Sequence, residues 1–150
     1  MEKDCQYLSW ENAPIGPLLG HAAHLARERM DVRLARYDVT PAQTHVLLYL
    51  GEQSGPTPQR DVVEHLRVKP PTANGILDRL EEKKLICRRA DPEDLRQKRV
   101  CLTEKGRELR VRLQNAFQEG AALTLHGLSE EETAVLRGLL NRIIQNLEED

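Results

Sequence analysis

The chain has 150 residues, 31% of them charged, yet its formal net charge is only −2. That length fits one compact domain, or one subunit whose ends complete a dimer. The charge balance excludes a bulk-basic protein that coats nucleic acid, and five aromatic residues are too few for a stacking platform for single strands or RNA.

Residues 1 to about 12 show no periodicity; Tyr7 and Trp10 there are expected to pack on the first helix or on a partner. Pro14 and Pro17 bracket a helix start, and the helix is predicted to run to about Tyr37. Leu18, Leu19, Ala22, Leu25, Ala26 and Met30 give it a broad stripe, wide enough to pack on two neighbours. Thr40-Pro41-Ala42-Gln43 reads as a capping box with proline at the first helical position. The helix behind it carries the longest apolar run, Val46-Leu47-Leu48-Tyr49-Leu50, and ends at about Glu52 before the breaker Gln53-Ser54-Gly55-Pro56.

Thr57 to Thr103 reads as two short helices and a hairpin. Thr57 followed by Pro58 predicts a hydroxyl cap with proline just inside the helix. Val62, Val63 and Leu66 form its stripe; Arg67-Val68-Lys69 is the turn, with Val68 expected as a buried plug. Pro70 and Pro71 open the next helix and remove two of its unpaired N–H groups. Ala73, Ile76, Leu77 and Leu80 face inward, whereas Thr72, Asn74, Gly75, Asp78 and Arg79 lie mostly elsewhere. Thr72 and Asn74 are short polar side chains near the N-terminus, the end that reaches base edges in such motifs. The hairpin pairs Leu85–Arg89 with Arg99–Leu102 around Asp91-Pro92-Glu93-Asp94 turn chemistry, with Ile86, Val100 and Leu102 on one face. Arg96, Lys98 and Arg99 lie at or just past the tip, and an arginine there suits the negative potential of a narrow groove. From Thr57 to Lys105 twelve Lys and Arg face nine Asp and Glu, a net of +3, while the rest of the chain carries −5. Basic charge is therefore local, as in a site-specific reader.

Thr103 is predicted to cap a helix running to about His126, with Leu109, Leu113, Ala116, Phe117 and Ala121 at helical spacing and Gly127 ending it. Ser129-Glu130-Glu131-Glu132 is another capping box, and Leu136, Leu139, Leu140, Ile143, Ile144 and Leu147 form the last stripe. These end helices either finish one subunit's core or build an interface between two copies.

Leu66 and Thr72, then Leu80-Glu81-Glu82-Lys83-Lys84-Leu85, Arg89, Asp94-Leu95-Arg96 and Val100-Cys101-Leu102-Thr103-Glu104-Lys105-Gly106, resemble the MarR family of winged-helix regulators. The resemblance runs from about Ile15 onward and is sharpest in the wing. It implies a mostly α fold with a small β-hairpin wing, a winged helix-turn-helix forming one domain over 1–150. In that layout about 57–103 reads DNA, while about 13–37 and 104–150 form dimerisation helices. It implies a homodimer on a palindromic operator, with reading helices about one DNA turn (roughly 34 Å) apart, usually released by a small ligand or an oxidant. Arg96 would enter the minor groove, Asp94 would hold the tip, and Thr72 and Asn74 would lie in the major groove. Arg60, Lys69, Lys98 and Arg99 would meet phosphates, and Thr57, Pro71 and Arg79 complete the expected DNA-facing set. Two positions depart from the family pattern. Lys69 stands where relatives often carry Ser or Asp as a cap, and Gly75 where many carry Arg. Close approach of the preceding helix would account for the glycine.

No phosphate loop, Cys-x-x-Cys pair, His-Glu-x-x-His run or activated nucleophile is present, so no enzyme and no cofactor are expected. No run approaches a membrane span and the N-terminus is no signal peptide, so the expected setting is the reducing cytoplasm. His21, His24 and His45 with Glu28 would be a zinc site of scattered ligands; surface or core histidines are the simpler reading. Cys87 and Cys101 mirror each other about Asp94, which fits either a cross-strand disulfide or two small residues on an outward strand face, the second being simpler. His21, Arg27, Arg36 and Tyr37 are effector-site candidates by position, and ion pairing with Glu28, Asp31 and Asp38 serves the arginines equally well. Competing readings are a winged-helix protein-interaction module and a zinc- or thiol-sensing regulator of the same fold.

Overall fold

The computed structural model describes residues 10–150, so the expectation for Tyr7 lies outside the described residues. After a short 3-10 turn the order is α1 (Ile15–Ala35), α2 (Pro41–Glu52), β1 (Thr57–Pro58), α3 (Gln59–Leu66), α4 (Pro70–Glu82), β2 (Ile86–Ala90), β3 (Lys98–Leu102), α5 (Glu104–Thr124) and α6 (Glu130–Glu148). The strands form an antiparallel sheet in the order β1-β3-β2. Contacts divide the chain into one unit ending at Phe117 and a second, Gln118–Asp150. No helix among the described residues is long and apolar enough to cross a membrane.

The core of the first unit grows from α2. Thr40 accepts from the Gln43 N–H and Gln43 returns the bond to Thr40, so the capping box holds the helix start as its sequence predicts. Val46, Leu47 and Leu50 are buried against Leu34 and Leu113 of the helices and against Ile86, Val100 and Leu102 of the wing. Burying each such side chain contributes about 1.5–3 kcal/mol. Ile86, Val100 and Leu102 share one sheet face, as alternation requires, and that face closes over α4 through Leu77 and Leu80.

Three local expectations change. Thr57 is not the cap of α3: it pairs with Val100 in β1, its hydroxyl donates to the Gly55 carbonyl, and Pro58 takes the N-cap position without a side-chain bond. A two-residue strand shows no alternation, so the third strand left no sequence signal. Val68 is 40% exposed and is not a plug; the turn is made by Arg67 in the left-handed region at φ 52°. The space around Gly75 is open, so helix approach does not explain it.

The ends of α4 and α5 meet at one point. Lys84, at φ 60°, lets the Leu85 N–H reach the Leu80 carbonyl and its own N–H reach Glu81, a left-handed helix stop made by lysine rather than glycine. Thr103 accepts from the Gly106 N–H at 3.0 Å and donates to the Lys84 carbonyl at 2.7 Å, capping α5 as predicted. A Cβ on Gly106 would stand 2.0 Å from the Leu85 carbonyl oxygen, so only glycine permits this approach.

Among the described residues, the stripe expected to bury α1 on two sides is only partly covered: Leu18, Leu19 and Met30 are half-buried, Met30 against the core. Leu34 is the one buried residue of α1, and Ala22, Leu25 and Ala26 face solvent. In the second unit, Ser129 and Glu132 complete the capping box of α6, while Leu136, Leu139, Ile144 and Leu147 are exposed.

Candidate nucleic-acid interface

Helix α4 buries Ala73, Leu77 and Leu80, which turns Pro71, Thr72, Asn74, Gly75 and Asp78 outward. The helix starts on prolines at its first two positions, with Lys69 at the N-cap and no side-chain bond there. Prolines set the helical φ and leave fewer N–H groups unpaired, which is what this cap requires. Gln59 of α3 donates to Asn74 Oδ1 at 3.2 Å, tying the two helices together and leaving the Asn74 amide N–H groups outward. Gln59 Oε1 is itself buried without a hydrogen-bond partner.

The wing tip is ordered by its own carboxylates. Asp91 Oδ1 accepts from the Glu93 N–H at 3.0 Å, and Asp94 Oδ1 from the Arg96 N–H at 3.1 Å. The Gln97 N–H closes a turn on the Asp94 carbonyl at 2.9 Å. Leu95 and Arg96 are thus the two central residues of a turn, 78% exposed as a residue and 93% exposed as a side chain respectively. The Glu93 backbone N–H, with the hydrogen bond and charge of Arg99 and the charge of Arg60, holds the Asp91 carboxyl below its usual range against the opposing effect of desolvation. The tip loop is therefore anchored on a carboxylate that stays ionised.

Arg88 sets the distance between wing and helix. It points to the inner face of β2, its side chain only 12% exposed, and donates from Nε and Nη2 to Glu81 at 3.3 and 3.1 Å and from Nη2 to Asp78. Hydrogen bonding from Arg88 is the leading cause that holds the Glu81 carboxyl below its ordinary range, the charges of Arg88 and Lys98 adding to it and desolvation opposing. The same bonds raise the Arg88 pKa, so the guanidinium stays charged. Between α3, α4 and the wing lies an open hollow of about 720 Å³ lined by Gln59, Arg60, Asn74, Asp78, Arg88, Arg96 and Lys98 among others.

The sequence-predicted residues fall into two groups. Arg60, Lys69, Pro71, Thr72, Asn74, Arg79, Arg96 and Lys98 are solvent-facing, and Asp94 is the half-buried support of the tip. Thr57 is 5% exposed and bonded to the Gly55 carbonyl, which withdraws it from that surface. Arg99 lies on the opposite sheet face from Arg88 and donates to Asp91 Oδ2 at 3.1 Å and to the Pro56 carbonyl at 3.3 Å; it braces the wing base. Gln59, Arg88 and Leu95 were not foreseen. Strand parity places Arg88 inward with Ile86, a signal that was available; the exposed Leu95 beside Arg96 at a turn centre was readable too.

The MarR family model matches residues 37–97. Staphylococcus aureus MepR, in a MepR–DNA complex, is 31% identical over 89% of this chain and 98% of its own, with a TM-score of 0.79. The chain belongs to the MarR family. SlyA, a transcriptional regulator, is 28% identical over 92% of this chain and 96% of its own, with a TM-score of 0.77. Bordetella bronchiseptica BpsR, whose DNA binding is regulated by 6-hydroxynicotinic acid, is 26% identical over 90% and 95%, with a TM-score of 0.73. The winged helix-turn-helix seen here is thus the fold of MarR-family transcriptional regulators.

Two further hollows bear on the effector candidates of this MarR-family chain. Arg36 and Tyr37 line one of about 470 Å³ with Lys83, Lys105 and Arg112; His21 and Arg27 are not among its lining residues. His21 instead stacks on Trp10 at 4.1 Å, and His24 lies 3.5 Å from Glu28. Among the described residues no group of three or more His, Cys, Asp or Glu could hold a metal ion. The other hollow, about 790 Å³, lies on the outer face of the sheet against α2 and α5. Its wall includes Gly51, Arg89, Arg107, Arg110, Cys87 and Cys101. Arg110 Nε is buried without a hydrogen-bond partner, and it lies so close to Gly51 that a Cβ there would overlap it.

Proposed function

We propose that the chain is a homodimeric, sequence-specific repressor that grips a palindromic operator and is released by a small anionic ligand. The observation that carries this reading is the braced pairing of α4 with a pre-ordered, Arg96-bearing wing tip across one hollow. In this reading Thr72 and Asn74 meet base edges in the major groove and Arg96 enters the minor groove, held by Asp94. Arg60, Lys69, Arg79 and Lys98 supply phosphate contacts. The existence of a MepR–DNA complex supports it. Residues 57–103 then act as the reading lobe, and 13–37 and 104–150 as dimerisation segments. Exposed apolar side chains on α1, and separately on α6, support pairing between copies, because such surfaces are costly to leave in water.

For the ligand, the 790 Å³ hollow fits better than the residues the sequence singled out. Arg89, Arg107 and Arg110 line it beside Leu50, Leu102 and Val111, Arg107 already bonded to Glu104 and the Leu102 carbonyl, and that mixed basic and apolar lining suits an organic carboxylate or phenolate. The regulation of BpsR by 6-hydroxynicotinic acid supports a ligand of that class. The test is binding of duplexes selected from a random pool, read at two salt concentrations with light scattering for mass. Arg96→Ala should weaken binding and lower the salt slope by about one contact's worth. A monomeric protein, or unchanged affinity of the variant at both salts, would refute the reading.

A further inference from the structure

We infer that Cys87 and Cys101 form a reversible disulfide site on the wing, and that closing it changes the wing's grip on DNA. The second half rests on the DNA-binding reading above; the first stands on the sheet alone. Cys87 and Cys101 are register partners in β2 and β3. The partners on either side, Thr103 with Leu85 and Asp91 with Gln97, are joined by N–H to carbonyl bonds at 3.1 and 2.9 Å. Alternation then puts the cysteine pair at a hydrogen-bonded position, where Cα atoms are about 5.5 Å apart. A disulfide needs about 4.4–6.8 Å.

Both side chains point to the outer face, away from Ile86, Arg88 and Val100, and Cys101 Sγ already leans to within 3.8 Å of the Cys87 carbonyl. Both thiols are free and half-buried on the wall of the 790 Å³ hollow, which opens to solvent and is flanked by Arg89 and Arg107. Burial, then the neighbouring Cys87, pushes the Cys101 thiol up, while the two arginines oppose this. A raised pKa lowers the thiolate fraction of Cys101, which disfavours it as the first nucleophile. With a hydroperoxide as oxidant, the Cys87 thiolate attacks one peroxide oxygen. An S–O bond forms, the O–O bond breaks, and the alcohol or water leaves with a proton. Cys101 then attacks the Cys87 sulfur; the S–S bond forms and the S–O bond breaks, releasing water. Two thiols lose two electrons and the peroxide gains them.

The consequence for DNA follows from position. Cys87 is the residue before Arg88, whose inward guanidinium spaces the wing from α4. A covalent tie at Cys87 fixes the strand pair next to that brace.

The experiment uses the full chain with Cys5→Ser, so that the N-terminal thiol cannot confuse the result. It is treated with hydrogen peroxide and then with dithiothreitol. Peptide mapping should find Cys87 joined to Cys101 within one chain, with the mass of two hydrogens lost and regained on reduction. Duplex affinity should shift by about threefold or more between the two forms. Cys87→Ser and Cys101→Ser, made separately, should each abolish both effects. Thiols that stay free or go straight to sulfinic acid overturn the proposal, and so does a disulfide that leaves affinity unchanged. If the reduced protein binds no duplex at all, the DNA reading fails instead; the mapping, which needs no DNA, tells the two apart.

Discussion

Replacing Arg88 by Met keeps the aliphatic stem and removes the guanidinium that joins β2 to α4. The sheltered end of this interaction is Arg88 itself, 12% exposed; its partners Asp78 and Glu81 are 58% and 42% exposed. Charge-assisted hydrogen bonds contribute about 1.5–3 kcal/mol when sheltered, and exposed ion pairs about 0.2–1 kcal/mol. Solvent screening of the two carboxylates puts the expected loss near the bottom of the sheltered range, about 1–2 kcal/mol. For a chain of this size that is a fall in Tm of roughly 2–8 °C. The carboxylates left on one face of α4 would then repel each other without a cation between them. The pH dependence carries the same signature. Glu81 titrates below its ordinary value when folded, so its contribution is present above the unfolded pKa and is lost as pH falls through the folded one. In Arg88→Met that acid-side loss should largely disappear. Duplex affinity should fall by about tenfold, because the tip no longer sits at a fixed distance from α4. The salt slope should stay as in the wild type, since Arg88 faces carboxylates and not phosphates. Fluorescence anisotropy at several salt concentrations measures both quantities. A slope that drops as far as in Arg96→Ala would mean that Arg88 touches DNA, and unchanged affinity would mean that the brace does not position the wing.

Gly106→Ala should cost more than about 3 kcal/mol in urea unfolding, because the new methyl would meet the Leu85 backbone and neither side can yield. Gly75→Ala should stabilise by about 1 kcal/mol in the same assay, since its Cβ enters open space in mid-helix; a loss would show that α4 is constrained in a way these contacts do not reveal. Leu95→Ser should weaken duplex binding without altering the salt slope, because an apolar side chain at the turn centre contributes by contact and not by charge. Equal affinity of wild type and Leu95→Ser would leave Leu95 outside the interface.

The helices and their caps were legible because each has a local cause. Thr40, Thr103 and Ser129 announce three starts by side chains that satisfy N–H groups within their own turn. The inward positions of α4 and the inner face of the hairpin follow from periods of 3.6 and 2. Where the chain turns through the left-handed region, local chemistry is silent. Arg67 and Lys84 occupy it without the glycine or asparagine that normally marks it, and neither residue type foretells the conformation. Strand β1 is invisible for a different reason. Its two residues gain their partner from Val100 and Arg99, more than forty positions away. The stripe of α1 is a third case: Leu18, Leu19 and Met30 are half-buried while Ala22, Leu25 and Ala26 face solvent, and an apolar pattern in a sequence does not say what covers it.

Charge is where sequence reading of the interface reaches its limit. Arg88, Arg96 and Arg99 look alike in the sequence, yet of the three only Arg96 is largely exposed, its Nε 3.5 Å from Asp94 Oδ1. Arg88 is spent on Asp78 and Glu81 across the inner face, and Arg99 on Asp91 and the Pro56 carbonyl across the outer one. Lys83 is likewise committed, donating to the Asp38 carbonyl and to Gln43 at the far end of α4. A net charge of +3 over this stretch therefore overstates how many cations a duplex could neutralise and understates how firmly the remaining ones are held. The bracing cations do not bind DNA in this view; they make the distance from α4 to Leu95 and Arg96 a property of the folded chain. That is why loss of the bracing Arg88 should change affinity without changing its response to salt, while loss of the Arg96 charge should change both.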